Sequence, residues 1–404
     1  MISTDLSQLE TLKQILPTRK EEAWKYTSLA DFKAFSWNSV AEEGSEFMTH
    51  DQMQKLSLNL PADFYNLVFV NGILNVTLSD ELSDSIQVQT IEDTDLIISD
   101  DHPEKNLLKF SNSCLRKKTV VSVTAHQVLQ KPIHFLYVQN SKKSLFSSEK
   151  VAIHIGKNAE VTLISQTISL DDSIQGSINL NMNLSVDEDA RVKFIQIQNE
   201  NQISYHFAQT EVQLSSNAQW KSLIMTLGGK LIRHYFHIAM SGHGADAQIL
   251  GLNALGDTQH SDHYTFIQHV KGGNQSRQLF KSVLSDSSHG VFRGRVRIER
   301  DAQKASSEQL NNNLLLTREA QADSIPQLEI YADDVKAGHG STVGQLNKDE
   351  IFYFLSRGIN QYQAVKMLSI GFAQDLVFQF EDKIVQDWLL KKLNTKLDGM
   401  IKNV

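Results

Sequence analysis

The longest pattern in the sequence is an alternation of apolar and polar residues that runs from residue 119 to about residue 343. Such alternation is typical of β-strands with one buried face. No convincing amphipathic helix interrupts it, so the sequence predicts a large all-β core. The alternation is clearest at residues 121–125, 151–155, 161–164, 192–197, 211–214 and 297–299, with turn-forming sequences such as 156–159 and 187–190 in between.

Two all-β architectures fit this core. One is a sandwich or a pair of barrels, and the other is a parallel β-helix, which stacks strands turn upon turn. Pro132 and Pro326 are the only prolines in the stretch, which suits long ladders of fully paired strands. Spacing alone leaves both architectures open.

The two ends of the chain have helical patterns, which divide it into three parts. Residues 1–118 predict a mixed, mainly helical region with one hairpin, because Asn71-Gly72 lies between apolar runs and is typical of a tight hairpin turn. Residues 119–346 form the β core. Residues 347–404 predict a C-terminal helical region. Within the first part, helices are expected over residues 4–16 and around residues 104–112.

Three helices are predicted in the C-terminal region. Asn347 and Glu350 resemble a capping box at the start of the first helix, and Gly358 is placed to end it. The second helix begins near Asn360 and the third near residue 381. Amphipathic helices of this kind pack together, and any apolar face left over would be a docking surface for a partner.

Composition and charge exclude several classes of protein. The chain has 404 residues, with 41% hydrophobic and 21% charged residues, which is ordinary for a protein with a sizeable core. Its net charge is −8, and the acidic excess lies within residues 1–118, which argues against nucleic acid as a partner. No apolar run approaches the roughly 18 residues that span a bilayer. The N-terminus does not resemble a signal peptide, so we expect a cytoplasmic protein without a membrane partner.

Few residues outside the histidines are candidates for chemistry. Cys114 is the only cysteine, so one copy of the chain can form neither an internal disulfide nor a thiolate cage. The common nucleophile, phosphate-loop, dinucleotide and metalloprotease motifs are absent from the sequence. Arg293, Arg295 and Arg297 alternate along a predicted strand. We expect them on a solvated outer face, with a phosphate-binding stripe as the alternative.

Seven histidines fall within residues 234–289. His234 and His237 are three residues apart, as are His260 and His263, but residues at this spacing face opposite ways on a straight strand. Neither pair can then chelate one ion. Histidines on successive turns of a β-helix would stack about 4.8 Å apart and could form a ligand ladder. We favour solvated or interface imidazoles over that ladder.

His339 stands between Gly338 and Gly340, where the β core meets the C-terminal helices. Glycines let the backbone approach another surface closely, and a histidine presented there can donate, accept or ligate a metal. The alternative is a turn imidazole that caps the end of a strand. Only the wider context of the chain favours the ligand interpretation.

Several blocks of sequence resemble the SufB/SufD family of iron–sulfur cluster assembly scaffold proteins. In this family the SufB branch carries a functional cysteine just before an Asp-Ser pair. The corresponding residues here are Ala322-Asp323-Ser324, so the chain is most similar to the SufD branch. The similar blocks are residues 19–26, 290–295, 301–304, 309–316, 326–336, 339–346 and 352–358.

The resemblance implies a right-handed parallel β-helix with helical ends, acting as a non-catalytic scaffold. It implies pairing with a cysteine-bearing SufB-like paralogue through the β-helix, and binding of a SufC-like ABC ATPase through the C-terminal helices. His339 would act with the partner's cysteine at the interface where the nascent iron–sulfur cluster forms. A homodimer is expected where SufB is absent. Ala337 replaces a cysteine found in many SufD chains, which leaves His339 as the ligand at this junction.

The lone cysteine agrees with this interpretation, because a cluster is held mainly by thiolates and one cysteine cannot hold it alone. We therefore expect no cofactor in the isolated chain. Two rival functions stay open. The first is a β-helix carbohydrate hydrolase or lyase, although Asp333 and Asp334 are adjacent on a predicted strand and would point apart. The second is an independent metal-binding module formed by the histidines of residues 234–289.

Overall fold

The computed structural model describes residues 10–37, 39–40, 48–93, 102–112 and 117–401. Cys114 and the first part of the helix predicted over residues 4–16 lie outside these residues. Residues 10–12 are helical, and a 3-10 turn, Lys13–Ile15, follows them before Pro17. A second 3-10 turn is Glu22–Trp24.

The described residues contain twenty strands and six α-helices, in an order that places most strands between two groups of helices. The helices are α1 (Ala30–Ala34), α2 (His50–Ser57), α3 (Lys105–Asn112), α4 (Lys348–Ser356), α5 (Gln361–Phe378) and α6 (Lys383–Met400). The strands are β1 (Ser39–Val40), β2 (Tyr65–Val70), β3 (Ile73–Leu74), β4 (Ile86–Glu92), β5 (Lys117–Val123), β6 (Ile133–Gln139), β7 (Leu145–Ile155), β8 (Glu160–Ser169), β9 (Gly176–Val186), β10 (Arg191–Asn199), β11 (Tyr205–Leu214), β12 (Gln219–Thr226), β13 (Leu231–Met240), β14 (Asp246–Leu255), β15 (His260–His269), β16 (Gln275–Leu284), β17 (His289–Ile298), β18 (Ser306–Leu315), β19 (Gln321–Ile330) and β20 (Lys336–Gln345).

From β5 to β20 each strand pairs in parallel with the strand two places further along the chain. One sheet, here called sheet one, has the order β19-β17-β15-β13-β11-β9-β7-β5-β4, with β1 beside β7. The other, sheet two, has the order β20-β18-β16-β14-β12-β10-β8-β6-β2-β3. Each turn of the chain adds one strand to each sheet, and β5 to β20 make eight turns. The predicted parallel β-helix is therefore confirmed, and the sandwich and barrel alternatives are wrong.

One corner of the β-helix has the same backbone conformation and hydrogen bond in seven successive turns. The residue at this corner has a positive φ, which Asn, Asp and Gly adopt most readily. Its N–H donates to a carbonyl in the corresponding corner of the next turn. The corners thus stack through hydrogen bonds of their own. The residues are His126, Asn158, Asp189, Asn217, Gly244, Gly273 and Lys304.

The inside of the β-helix holds the main apolar core. Its side chains come from alternate residues of both sheets, as the pleat of a strand requires. Phe194, Trp220 and Phe236 are among its largest members, and each is almost completely buried. This packing of side chains from many turns fixes the register of each turn on the next.

Part of residues 1–118 joins the β-helix, which the alternation pattern did not reveal. β2 pairs in parallel with β6, and β4 pairs antiparallel with β5. The apolar side chains of Phe69 and Ile86 lie in the same interior core. The predicted hairpin is confirmed, since Asn71 and Gly72 both have positive φ between β2 and β3.

Helical and irregular segments cover the outer faces of both sheets. On sheet two, α5 and α6 pack their buried apolar residues against strands β8 to β16; Leu389, Leu393 and Leu397 are examples. On sheet one, the N-terminal segment contributes Trp24 and Phe32 to a second aromatic cluster. The β-helix is therefore the middle layer of the part of the chain that the structure describes.

The three C-terminal helices begin where the sequence predicts. Asn347, Asn360 and Asp382 are their N-caps, and each side chain accepts a hydrogen bond from a backbone amide of the first turn. Asn347 bonds the amide of Asp349 rather than that of Glu350. Gly358 has a φ of 80° just after α4, as expected for a residue that ends a helix.

Candidate functional site

The last turn of the β-helix has an unpaired edge in both sheets. In the described residues, β20 pairs only with β18 and β19 only with β17. The N–H of Lys336 donates to Ala305, which lies just before β18. Because alternate residues of a parallel strand bond the same neighbour, the amides of Ala337, His339 and Ser341 point to the open side. Such an edge is a template for pairing with another chain.

Pro326 makes the open edge of β19 different from that of β20. The amides of Gln321 and Tyr331, at the two ends of β19, donate to Ser288 and Ile298 on the β17 side. Because successive N–H groups of a strand point to opposite edges, those of the even-numbered residues of β19 point to the open edge. Pro326 occupies one of these positions. Its missing N–H leaves the ladder to β17 intact and removes a donor from the open edge. The edge of β20, which has no proline, is the better template for another strand.

His339 is the fourth residue of β20 and is exposed. It lies opposite Gln309 of β18, whose side chain is buried inside the β-helix. Ala337 packs against the interior core, and the pleat puts His339 on the same inward face. The imidazole therefore lies over the open end of the interior. It is in the middle of a strand, so the alternative of a turn imidazole capping a strand end is wrong.

Beneath His339 the interior becomes polar. Gln309 lies opposite Gln278 of the preceding turn, and Thr265 donates to the Gln278 Oε1 at 2.6 Å from the other sheet. Gln309 faces Gly294, where a Cβ would come within 1.3 Å of the amide nitrogen, so a larger residue there would displace the Gln309 amide. Both amide atoms of Gln309 are buried, and neither finds a hydrogen-bond partner among the described residues.

The polar interior continues past Gln278 as a row of imidazoles. His234 and His263 are register partners on β13 and β15, with ring centroids 5.5 Å apart, and His206 lies 5.7 Å from His234. Burial lowers the pKa of His263 to about 4 and holds that of His234 well below its ordinary value. The rings of His234 and His263 are therefore neutral at pH 7. The inner polar column, as we call it, comprises His206, Thr226, His234, Asn253, His263, Thr265, Gln278, Gln309 and Asn311.

The histidine predictions meet mixed outcomes. His234 and His237 face opposite ways, as do His260 and His263, because only His234 and His263 are inside. The expectation of solvated or interface imidazoles is wrong for His234, His263 and His269, whose side chains are buried in the interior. The stacked arrangement exists, but the described residues contain no group of three or more His, Cys, Asp or Glu side chains that could hold a metal ion.

A second row of ionisable groups lies on the outer face of sheet one. His260 and His289 are register partners with ring centroids 4.8 Å apart, and His289 Nε2 lies 2.7 Å from the Asp323 carboxylate on β19. His260 also lies 2.9 Å from the Thr27 hydroxyl of the N-terminal segment. Asp323 is thus engaged within the chain.

Arg233 anchors the N-terminal segment to the β-helix. Its guanidinium is completely buried, bonds Glu104 at 2.6 Å and Asp262, and lies 4.5 Å from the centroid of the Trp24 ring. Burial raises the pKa of Glu104, while the charge of Arg233 lowers it. Trp24 belongs to the N-terminal block of residues 19–26, so this contact fixes that block on the β-helix.

The three arginines of β17 share one face, as predicted, but the expectation of a solvated face is wrong for Arg293. The N-terminal segment covers its side chain, and Arg293 donates to the carbonyl of Glu22 at 2.8 Å. Arg295 pairs with Glu329 at 2.8 Å and Arg297 with Glu299 at 2.9 Å. With a backbone carbonyl and two carboxylates as partners, the row is not a free phosphate-binding stripe.

The helix after the last turn exposes its apolar residues. None of the α4 side chains is buried, and Phe352 and Tyr353 are 70% and 56% exposed. Large aromatic residues exposed side by side on a helix are typical of a binding surface. We call the surface formed by Phe352, Tyr353 and the neighbouring Leu355 the aromatic face of α4. The helix follows β20 almost directly in the chain.

The sequence predicted the C-terminal helices and singled out His339 as a candidate ligand, but it did not predict the inner polar column or the contacts of Arg233. A signal for the column was present, because Gln278, Gln309 and His339 recur at intervals of one β-helix turn. Arg233 gave no such signal, since its partners Glu104 and Trp24 lie far away in the sequence. The described part of the chain contains no helix long and apolar enough to cross a membrane.

Comparisons with known proteins find the chain similar to iron–sulfur cluster assembly proteins. A family model described as "SUF system FeS cluster assembly, SufBD core domain" matches residues 137–372. The iron–sulfur cluster assembly protein SufD of Escherichia coli (strain K12) is 32% identical over 393 residues, covering 96% of this chain and 91% of that protein. An iron–sulfur cluster assembly SufBD family protein of Synechocystis is 28% identical, covering 90% of this chain and 84% of that protein.

Proposed function

The chain belongs to the SufBD family of iron–sulfur cluster assembly proteins, and from this premise we propose that it is a scaffold subunit whose His339 ligates the nascent cluster at an interface. The observation that carries the proposal is the position of His339, exposed on an unpaired edge strand at the open end of the β-helix. An imidazole there has a ring nitrogen to offer to iron.

A cysteine-bearing SufB-like paralogue supplies the thiolate in this proposal. The chain's own Cys114 lies outside the described residues, and Ala337 offers no sulfur on β20. Pairing edge to edge through β20 would bring the partner's terminal turn beside His339. The outward amides of the strand support this mode of pairing, because strand addition gives affinity through main-chain hydrogen bonds. Without the paralogue, a second copy of this chain would use the same edge.

A SufC-like ATPase docks on the aromatic face of α4 in this proposal. Exposed Phe352 and Tyr353 support it, since aromatic residues are common anchors of protein–protein interfaces. β20 and α4 are joined by two residues, Leu346 and Asn347, so a force on the helix reaches the strand directly. ATP hydrolysis in the partner would then open the paired edge and expose His339 to iron and sulfide.

The chain itself is non-catalytic and works in the cytoplasm in this account. The iron–sulfur cluster is its cargo rather than a resident cofactor. The histidine-rich metal module is not favoured, because the described residues hold no group of three metal-ligating side chains. No observation favours the carbohydrate enzyme.

The test is co-expression of this chain with a SufB-like and a SufC-like chain, followed by size-exclusion chromatography and iron and sulfide analysis. We expect a stable complex that carries a cluster and an isolated chain that carries none. A chain that elutes alone in the presence of both partners contradicts the proposal. So does a stoichiometric cluster in the isolated chain.

A further inference from the structure

A cleft separate from His339 lies between the last helix and the β-helix. It has a volume of about 560 Å³, within the range of sites for small molecules. α6 lines one side, and corner residues of sheet two, among them Asp257 and Asp286, line the other. Nothing in the proposed scaffold function uses this cleft.

Three lysines of α6 point into the cleft. Lys392 and Lys396 lie one helical turn apart and continue the row that starts at Trp388, while Lys391 lies beside them. Each of the first two ammonium groups bonds a neutral amide oxygen. Lys392 bonds Asn59 Oδ1 at 2.9 Å, and Lys396 bonds Gln259 Oε1 at 2.6 Å.

These positive charges lack direct counter-ions. In the described residues, no carboxylate lies within ion-pair distance of Lys391, Lys392 or Lys396, although the more distant Asp257 and Asp286 favour the charged form of Lys396. Burial lowers the pKa of both Lys392 and Lys396 to about 8, and the charge of Lys391 adds to the effect on Lys392. Partly buried ammonium groups whose direct hydrogen-bond partners are only neutral amides are costly, so an anion in the cleft would stabilise them.

We propose that this cleft binds a small phosphate-bearing anion, with Lys392 and Lys396 as its ligands and Lys391 at its mouth. Phosphate suits the site because lysine is a common phosphate ligand and because a multiply charged anion matches several ammonium groups. The Trp388 side chain adds an apolar wall for the remainder of the ligand. An acidic segment of a partner protein is the competing occupant, which the test separates.

Anion binding in this cleft is expected to be coupled to proton uptake. A bound anion raises the pKa of both ammonium groups from about 8, so binding at pH 8 takes up protons. Isothermal titration of the full chain with inorganic pyrophosphate at pH 8, in two buffers of different ionisation enthalpy, measures this uptake. Titration with ADP in parallel shows whether the wall formed by Trp388 adds affinity for a nucleotide.

The variant is Lys392→Met together with Lys396→Met, and the control is Lys383→Met. Lys383 lies on the same helix but is exposed and paired with Asp387 at 2.7 Å. We expect pyrophosphate affinity to fall at least tenfold in the double variant and to stay unchanged in the control. The double variant should still fold, since it removes buried charge and keeps the lysine stems' apolar volume.

Three results would overturn the proposal. The first is the absence of binding of both pyrophosphate and ADP at millimolar concentration. The second is equal binding by the double variant, which would mean adventitious attraction to the surface. The third is loss of partner assembly in the double variant when the wild-type chain binds neither anion, which would assign the cleft to an acidic segment of a partner.

Discussion

The two ends of the β-helix are built differently. At the first turn, antiparallel strands close the sheets, because β3 turns back on β2 and β4 runs against β5. Phe69 and Ile86 of these strands are buried in the interior core. At the last turn, β19 and β20 have no outer neighbour in the described residues, and Tyr331 and Val343 are 55% and 54% exposed.

Because the two ends differ, we expect folding stability and partner binding to depend on different parts of the molecule. The covered parts of the molecule bury apolar and ionic side chains, so changes there should alter folding. The open end buries little, so changes there should alter partner binding and leave folding intact. The following predictions test that separation, from the largest expected effect to the smallest.

Arg233→Met tests the covered face of sheet one. The change leaves Glu104 and Asp262 buried without their cation, and we expect a loss of about 3–5 kcal/mol in the free energy of unfolding. Urea titration followed by tryptophan fluorescence measures it, since Trp24 stacks on the guanidinium. The matched control is Arg277→Met, which breaks an exposed pair with Glu308 and should cost less than about 1 kcal/mol. Equal losses in the two variants would contradict this account of the N-terminal anchor.

Phe352→Ser tests the aromatic face of α4. Because the side chain is exposed, the free energy of unfolding should change by no more than about 0.5 kcal/mol. Binding of a SufC-like ATPase should weaken by about 2 kcal/mol, as for an aromatic anchor of an interface. Surface plasmon resonance measures the binding. Leu393→Ala, on the buried side of α6, is the contrast, with a loss of stability of about 2–5 kcal/mol. Unchanged ATPase affinity in Phe352→Ser would remove α4 from the proposed interface.

Ser341→Pro tests the open edge of β20. The proline removes an amide that points outward, so it should weaken pairing with a SufB-like chain at least tenfold, or about 1.4 kcal/mol, without unfolding the protein. Thr342→Pro is the matched control, because the amide of Thr342 faces β18 and its loss should destabilise the last turn. Analytical ultracentrifugation gives the affinity and thermal melting the stability. If the two prolines behave alike, pairing does not use this edge.

His269→Gln tests how a histidine buried in the closed interior makes the free energy of unfolding depend on pH. Burial lowers the pKa of His269 from its ordinary 6.5 to about 4. As the pH falls from 6.5 towards 4, the unfolded chain therefore binds a proton at this residue and the folded chain does not. The free energy of unfolding should therefore fall by roughly 0.7 kcal/mol from pH 7 to pH 6 through this one residue. Glutamine cannot titrate, and it keeps a polar group near Ser276, which His269 contacts at 2.9 Å. Urea titrations at the two pH values should show a smaller difference in the variant; an unchanged difference would mean that His269 is not the source.

Local patterns in the sequence predicted much of this architecture. Alternation located the strands of the core, Asn71-Gly72 located the hairpin, and Asn347 and Asn360 located the starts of two helices. Each of these features depends on neighbours within a few residues. The choice of a β-helix over a sandwich needed the family resemblance, because strand spacing does not say which strands pair.

The features that escaped prediction depend on contacts between distant segments. Arg293 looked like a solvated residue of an exposed strand face, yet the N-terminal segment, far away in sequence, covers it. The inner polar column depends on which turn stacks on which. The cleft of Lys392 and Lys396 depends on where α6 packs against the corners of sheet two. His339 was predicted from the sequence as a candidate ligand, and the fold adds that it lies on an unpaired edge strand.

The most direct test of the central claim is the iron and sulfide content of the complex assembled with His339→Ala. His243→Ala is the matched control, since His243 is an exposed histidine at a corner of the β-helix away from the last turn. We expect the His339 variant to fold and to form the complex but to lose most of its cluster, while the control keeps it. A full cluster content in the complex with His339→Ala would contradict the assignment of His339 as a ligand.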